Sequence, residues 1–316
     1  MELPIRCNIH SVQEITEPGT ITDLAADAAA AGYRVTTRLI RDWTEAGLLD
    51  YPQRRPAGKG HGSSPALYSA NQRMLFLTLL HHRPENTISS IARIPVGIWM
   101  YWGDQHAPVR QVRRAMNTWI GDPRASLRRA RETAREILRQ LDNPRATAAA
   151  RRELIATLTN VAYTARPDYV HLEQAIRDVF EPGSEQVRRA VGHPDAPLVA
   201  DSVIDLVKAR LTAVRLLAAG QADDQVFYHA RQVHLVAYAE YAVRWQMLAA
   251  AAPAQEPCMY EPVTAEIALN SACGHLLTTI GMAVLYPERA AQLSASASPV
   301  AARAAQQVKS IFLTDA

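Results

Sequence analysis

"VTTRLIRDWTEAGLLDYPQRRPAGKGHGSSPALYS", residues 35–69, sets a short basic helix directly before a loop rich in Arg, Lys, Gly and Pro. Leu39, Ile40 and Trp43 fall on one side of a 3.6-residue repeat, so the sequence predicts a helix over 35–46 that Gly47 stops. Just upstream, Thr20 with Asp23 reads as a capping box with Asp in place of Glu. Ile21, Leu24, Ala25, Ala28 and Ala29 give that first helix an apolar face, and Gly32 ends it. Helix, short turn containing Gly, helix is the outline of a helix-turn-helix. Residues 50–68 show no apolar periodicity until Ala66-Leu67-Tyr68, and are predicted as a glycine-loosened loop.

A helix-turn-helix reads a duplex with side chains near the start of its second helix. That start offers Thr36, Thr37 and Arg38, with Arg41 one turn on. Arginine can bond guanine bidentately, and threonine can bond bases or phosphates while its methyl meets thymine. Arg54, Arg55, Lys59 and His61 in the following loop are placed to lie along the phosphates, adding affinity and salt sensitivity without sequence information.

Downstream, Ser69 with Gln72 predicts a capped helix over 70–82, and a further short helix is expected after Thr87, restarting at Pro95. The stretch "ITDLAADAAAAGYRVTTRLIRDWTEAGLLDYPQRR...LYSANQRMLFLTLL" resembles the N-terminal winged helix of MerR-type transcription regulators. Matching positions are Thr20-Ile21, Leu24-Ala25, Leu39 to Trp43, Gly47-Leu48-Leu49, Arg54-Arg55 and Tyr68-Ser69. The resemblance covers about residues 20–102 and implies a dimeric, sequence-specific DNA binder whose wing touches the backbone. This chain departs from it in Asp42-Trp43-Thr44-Glu45, where paired aromatics are usual, and in a longer wing without the usual Gly-Tyr-Arg.

Charge is unevenly spread. Residues 33–83 hold eight Lys/Arg against three Asp/Glu, and residues 105–152 hold twelve Arg against four acids. Residues 153–316 reverse the balance, with twelve basic against seventeen acidic side chains. A polyanion partner is therefore expected for the first half only, although a solvated arginine-rich face is an equally simple reading of 105–152 alone. In that segment Asp122-Pro123 and Asn143-Pro144 each place an N-cap before a proline, and Leu127, Ala130, Ala134, Ile137 and Leu141 make an a/d-like seam. The seam suits a dimerisation helix or an ordinary bundle helix. Further helices are predicted at about 146–165, 169–180, 198–219, 223–251, 262–285 and 298–313, with strand-like alternation nearly absent.

In the acidic half, Phe227, His234, Tyr238, Tyr241 and Trp245 form one stripe with Arg231 among them. Such a stripe can line a small-molecule pocket, or it can be core or a dimer face. No metal is expected: His229 and His234 stand about 140° apart on a helix, and neither CxxC nor HExxH occurs. Cys258, Cys273 and His275 form a thin metal or redox cluster, weighed against inert buried thiols. No cofactor is expected, and with no GxxxxGK[ST], GxGxxG or GxSxG the chain does not read as an enzyme. The absence of an 18-residue uninterrupted apolar run, the three scattered cysteines and the acid-bearing N-terminus predict a cytoplasmic protein with no membrane partner.

The expected fold is therefore mostly α, a winged helix-turn-helix followed by an all-α bundle. The expected division is an arm at 1–19, a DNA-binding domain at 20–104, basic linker or dimerisation helices at 105–145, and a dimerisation or effector domain at 146–316. The expected function is a homodimeric transcription regulator that binds double-stranded DNA and has room for a small-molecule effector. Two other readings stay open: an architectural or accessory DNA binder of plasmid maintenance or recombination without ligand, and a helical protein–protein adaptor.

Overall fold

The computed structural model describes residues 15–56, 63–121, 126–164, 166–180, 188–189, 197–198, 200–251, 265–288 and 291. The molecule is mostly α-helical. Helices α1 (Ile21–Ala30) and α2 (Thr37–Glu45) come first, then an antiparallel hairpin of β1 (Gln53–Pro56) and β2 (Ser63–Leu67), then α3 (Ala70–His82). After these come α4 (Ile88–Ile91), α5 (Arg93–Trp102), α6 (Val109–Ile120), α7 (Leu127–Leu141), α8 (Ala148–Thr164) and α9 (Tyr169–Phe180). Helices α10 (Ala200–Ala218), α11 (Asp224–Ala251) and α12 (Ala265–Leu285) complete the described chain, apart from a two-residue pairing of Arg188–Arg189 with Pro197–Leu198.

The local signals act as expected at the first helix. Thr20 accepts from the Asp23 amide while the Asp23 carboxylate takes the Thr20 N–H at 2.7 Å, closing the capping box. Gly32, at φ +84°, follows the helix end in the left-handed region where an L side chain is strained. The second helix begins two residues later than its periodicity suggests, because Thr36 serves as its N-cap: its hydroxyl accepts the Leu39 N–H at 3.2 Å. The helix after Thr87 restarts at Arg93 rather than Pro95. The segment predicted over 298–313 and the Asp122-Pro123 start lie outside the described residues.

Residues 50–68 correct the expectation of a loop, for their two ends pair as strands. Gln53 faces Leu67 and Arg55 faces Ser64, with an irregularity between Gln53 and Arg55. Pro56 and Pro65 hide this from sequence, since proline is tolerated only where a strand edge needs no N–H, and a two-stranded ribbon has two free edges. A bridge between Gly19 and Tyr68 ties the hairpin's exit to the entry of α1.

Two apolar clusters hold the molecule. The larger takes its side chains from α1 to α6 and from α10 to α12, with Trp43, Phe76, Trp99, Tyr101 and Phe227 fully enclosed. Burying each such side chain contributes on the order of 1.5–3 kcal/mol or more. The smaller joins α7, α8 and α9 around Leu154, Leu158, Leu172 and Ile176. The α7 seam is spent there: Ala130 and Ala134 are buried and Ile137 packs on the cluster, while Leu127 stays exposed. Among the described residues one stretch, Ala268–Leu285 of α12, is long and apolar enough to cross a membrane by length and composition. Its Ala268, Ala272, Leu276 and Ile280 are buried against the larger cluster, and Gly281 lies so close to the Ala209 backbone of α10 that a Cβ there would collide.

Candidate nucleic-acid interface

Helix α2 is divided sharply into two faces. Ile40 and Trp43 are 0% and 1% exposed, and the Trp43 ring meets Phe76 of α3 edge-on at 5.6 Å. The Thr44 hydroxyl turns inward too, donating to the Ile40 carbonyl at 2.9 Å and bonding the Tyr68 hydroxyl at 3.1 Å. Thr36, Thr37, Arg38, Arg41, Asp42 and Glu45 all face solvent. Arg38 has 90% of its side chain exposed and makes only a loose 3.8 Å pairing with Asp42. Glu45 accepts the Tyr51 hydroxyl at 2.9 Å.

Helix α6 buttresses this rod from behind. Gly47 turns at φ +76° with α6 so near that a Cβ would strike the Ala115 and Arg114 backbone. Successive turns of α6 then bond the carbonyl of the α2 C-cap, Ala46, and those of the turn that follows it. The Thr118 hydroxyl donates to Ala46 at 2.7 Å, the Gln111 amide to Leu48 at 2.9 Å and Arg114 to Leu49 at 3.2 Å. Asp50, 5% exposed, receives Arg110 at 2.6 and 3.0 Å and Arg114 at 3.6 Å. This charge-assisted hydrogen bond to Asp50 holds the Arg110 pKa above its ordinary value. The Gln72 side chain completes the knot, accepting the Asp50 N–H at 2.7 Å and donating to His106 O and Gln111 Oε1. Ser69 does cap α3 through the Gln72 amide, but the Gln72 side chain serves this knot instead of closing a capping box. Sequence reasoning misses the knot because its partners lie 22 to 72 residues apart.

Of the loop residues, Arg54 is exposed on β1. Arg55 lies in β1 with its side chain outside the described residues, and Lys59 and His61 are outside them altogether. The four residues at α2 are thus all exposed, as is Arg54 on the hairpin that follows.

The second candidate group lies differently. Phe227 is fully buried, edge-on to Trp99 at 6.1 Å. Arg231 donates from Nε to the carbonyls of Trp99 and Met100, at 3.0 and 2.9 Å, capping the C-terminal turn of α5, and burial lowers its pKa. The His234 ring bonds the Tyr101 hydroxyl at 3.1 Å and tilts against His275 at 5.1 Å. Burial, with His275 and Arg231 nearby, pushes the His234 pKa well below its ordinary value; burial and Arg210 bring His275 down to about 4. These three side chains clip α11 to α5 as part of the core. The side chains of Tyr238, Tyr241 and Trp245 lie outside the described residues. An open depression exists elsewhere, between α8 and α9, lined by Thr147, Glu153, Gln174, Arg177 and Asp178.

Among the described residues no group of three His, Cys, Asp or Glu side chains converges as a metal site. Cys273 is buried, which raises its thiol pKa and leaves it a poor nucleophile, and Cys258 is outside the described residues. No protein-family model, curated protein or solved structure matches this chain.

Proposed function

We propose that residues 20–82 form a winged helix-turn-helix of the MerR type that binds duplex DNA, and that the chain is a transcription regulator acting as a homodimer. In this reading α2 enters the major groove, where Thr37, Arg38 and Arg41 meet base edges and Thr36 stays at its cap. The β1–β2 ribbon is the wing, and Arg54 and Arg55 rest on phosphates. The single observation that supports it best is the split of α2: Arg38 is almost free in solvent while Ile40 and Trp43, two and five residues on, are sealed in the core. A rod presenting its polar leading edge from a fixed base is what groove reading requires. The α6 knot supplies that base.

Affinity selection from sheared genomic DNA, followed by fluorescence anisotropy on the enriched fragment and on a mixed-sequence duplex, tests the proposal. Arg38→Ala or Arg41→Ala is expected to cost ~1–3 kcal/mol on the enriched fragment and little on the mixed duplex, as loss of base contacts does. Equal affinity for both duplexes in the wild type would remove the regulator reading.

One observation bears on the ligand. Phe227, Arg231 and His234 are each engaged by residues of α5, which favours a DNA binder without an effector at that stripe over a sensor that uses it. A melting screen against metabolites tests this, since a ligand that binds the folded state raises the transition temperature.

A further inference from the structure

The exposed face of α2 is electrically balanced, with Arg38 and Arg41 set against Asp42 and Glu45. Its attraction for a polyanion must therefore come from elsewhere. The twelve arginines of residues 105–152 divide on inspection of their partners. Arg110 and Arg114 are bound to Asp50, Arg113 to Asp224 and Arg151 to Asp142, so these charges are spent inside the molecule. Those of α7 are placed differently. Arg128, Arg131, Arg135 and Arg139 are exposed, and at 100° per residue they fall within about 80° of one another around the helix. They lie away from Ala130 and Ala134, which are buried, Ala134 within the smaller cluster. The stripe runs for ~16 Å along the axis. Arg128 pairs loosely with Glu132 at 3.7 Å, and among the described residues Arg131 and Arg135 have no ion-pair partner.

The location matters as much as the charge. Thr118 of α6 is bonded to Ala46 at the end of α2, and Gly121, one turn further, has the Arg129 guanidinium against it. Those contacts join the end of α2 to α6, and the end of α6 to the Arg129 side chain of α7. We infer that the α7 arginine stripe is a second duplex-binding surface, gripping the phosphate backbone next to the segment that α2 reads. The inference rests on the reading of the chain as a duplex binder, but it needs no sequence-specific contact. A duplex carries one charge per ~1.7 Å of axis, so a stripe of this length meets several phosphates.

The test is a salt titration of the full chain against a mixed-sequence duplex, which requires no knowledge of the operator. Arg131→Gln with Arg135→Gln is expected to flatten the dependence of log K on log salt by about two units, near one for each phosphate no longer neutralised. Arg131→Lys with Arg135→Lys is expected to restore the slope, since lysine keeps the charge. The ratio of affinities for enriched and mixed duplexes is expected to stay unchanged. A slope identical to the wild type's overturns the inference, and so does a Gln pair that alters the solution mass while leaving the slope alone, which makes the stripe a protein contact. If Arg38→Ala leaves sequence preference intact while the Gln pair still flattens the slope, the reading of α2 fails and the stripe stands. A wild type that binds neither duplex sinks both.

Discussion

Helices α2 and α11 both place arginine beside aromatic residues at helical spacing, and the molecule turns them in opposite directions. In α2 the aromatic goes in and the arginines go out. Trp43 is sealed against Phe76, and among the described residues no buried acceptor draws Arg38 or Arg41 inward. In α11 the arginine goes in as well, because Arg231 reaches the Trp99 and Met100 carbonyls at the last turn of α5, the former shared with the Gly103 N–H. An Arg-aromatic pattern is therefore ambiguous until the acceptor across from it is known. The same rule sorts the basic segment 105–152, where Asp50 and Asp224 capture the arginines of α6, while among the described residues no such acid holds Arg131 or Arg135.

Substitutions at four places test how differently these faces behave. The largest effect is expected at the inner face of α2: Trp43→Ala should lower stability by ~3–5 kcal/mol, read by urea unfolding, because it empties a fully packed site. A loss under ~1 kcal/mol would mean that α2 is not anchored as described. Next is the inner face of α11. His275 has a folded pKa of about 4 against 6.5 for the free side chain, and His234 is depressed too. The unfolded chain therefore binds more protons between pH 6.5 and 4, and stability falls as pH drops through that window. The contribution of His275 is on the order of 2–3 kcal/mol at the acid end, and His275→Gln should flatten the profile measured by urea unfolding from about pH 7 to about pH 4.5.

Smaller, and of the opposite kind, is the outer face of α2. Arg38→Ala and Arg41→Ala should each weaken specific duplex binding by ~1–3 kcal/mol while changing stability by no more than ~0.5 kcal/mol, as exposed substitutions do. A destabilised Arg41→Ala variant would show that this side chain belongs to the scaffold. The smallest effect is at the boundary between the two faces. Thr36→Ala should cost ~1 kcal/mol of stability through loss of the cap, with Thr36→Ser recovering it. Weaker DNA binding by the Ser variant at full stability would mean that the methyl group touches a base.

What the sequence discloses and what it hides follow from range. The capping box at Thr20, the glycines after α1 and α2 and the split of Leu39, Ile40 and Trp43 from Arg38 and Arg41 are local, and all are legible. Helices α8 to α12 fall within about three residues of their predicted bounds because 3.6-residue periodicity is local too. The ribbon reads as a loop, since its cue is the pairing of Gln53 with Leu67, fourteen positions away, and its prolines argue against strand. The Gln72–Asp50–Arg110 knot, the α5 carbonyls that engage Arg231 and the occupation of the α7 seam by α8 and α9 all depend on partners brought in by packing. No spacing within a single helix encodes them.

The central claim is that α2 presents Thr37, Arg38 and Arg41 to a duplex from a rigid base. Anisotropy titration of the wild type and Arg41→Ala on enriched and mixed-sequence duplexes at one salt concentration tests it most directly. The account predicts tighter binding of the enriched duplex by the wild type and a preference that Arg41→Ala reduces by roughly ten-fold or more, the equivalent of ~1.4 kcal/mol. An undiminished preference in that variant, with the fold intact, would contradict it.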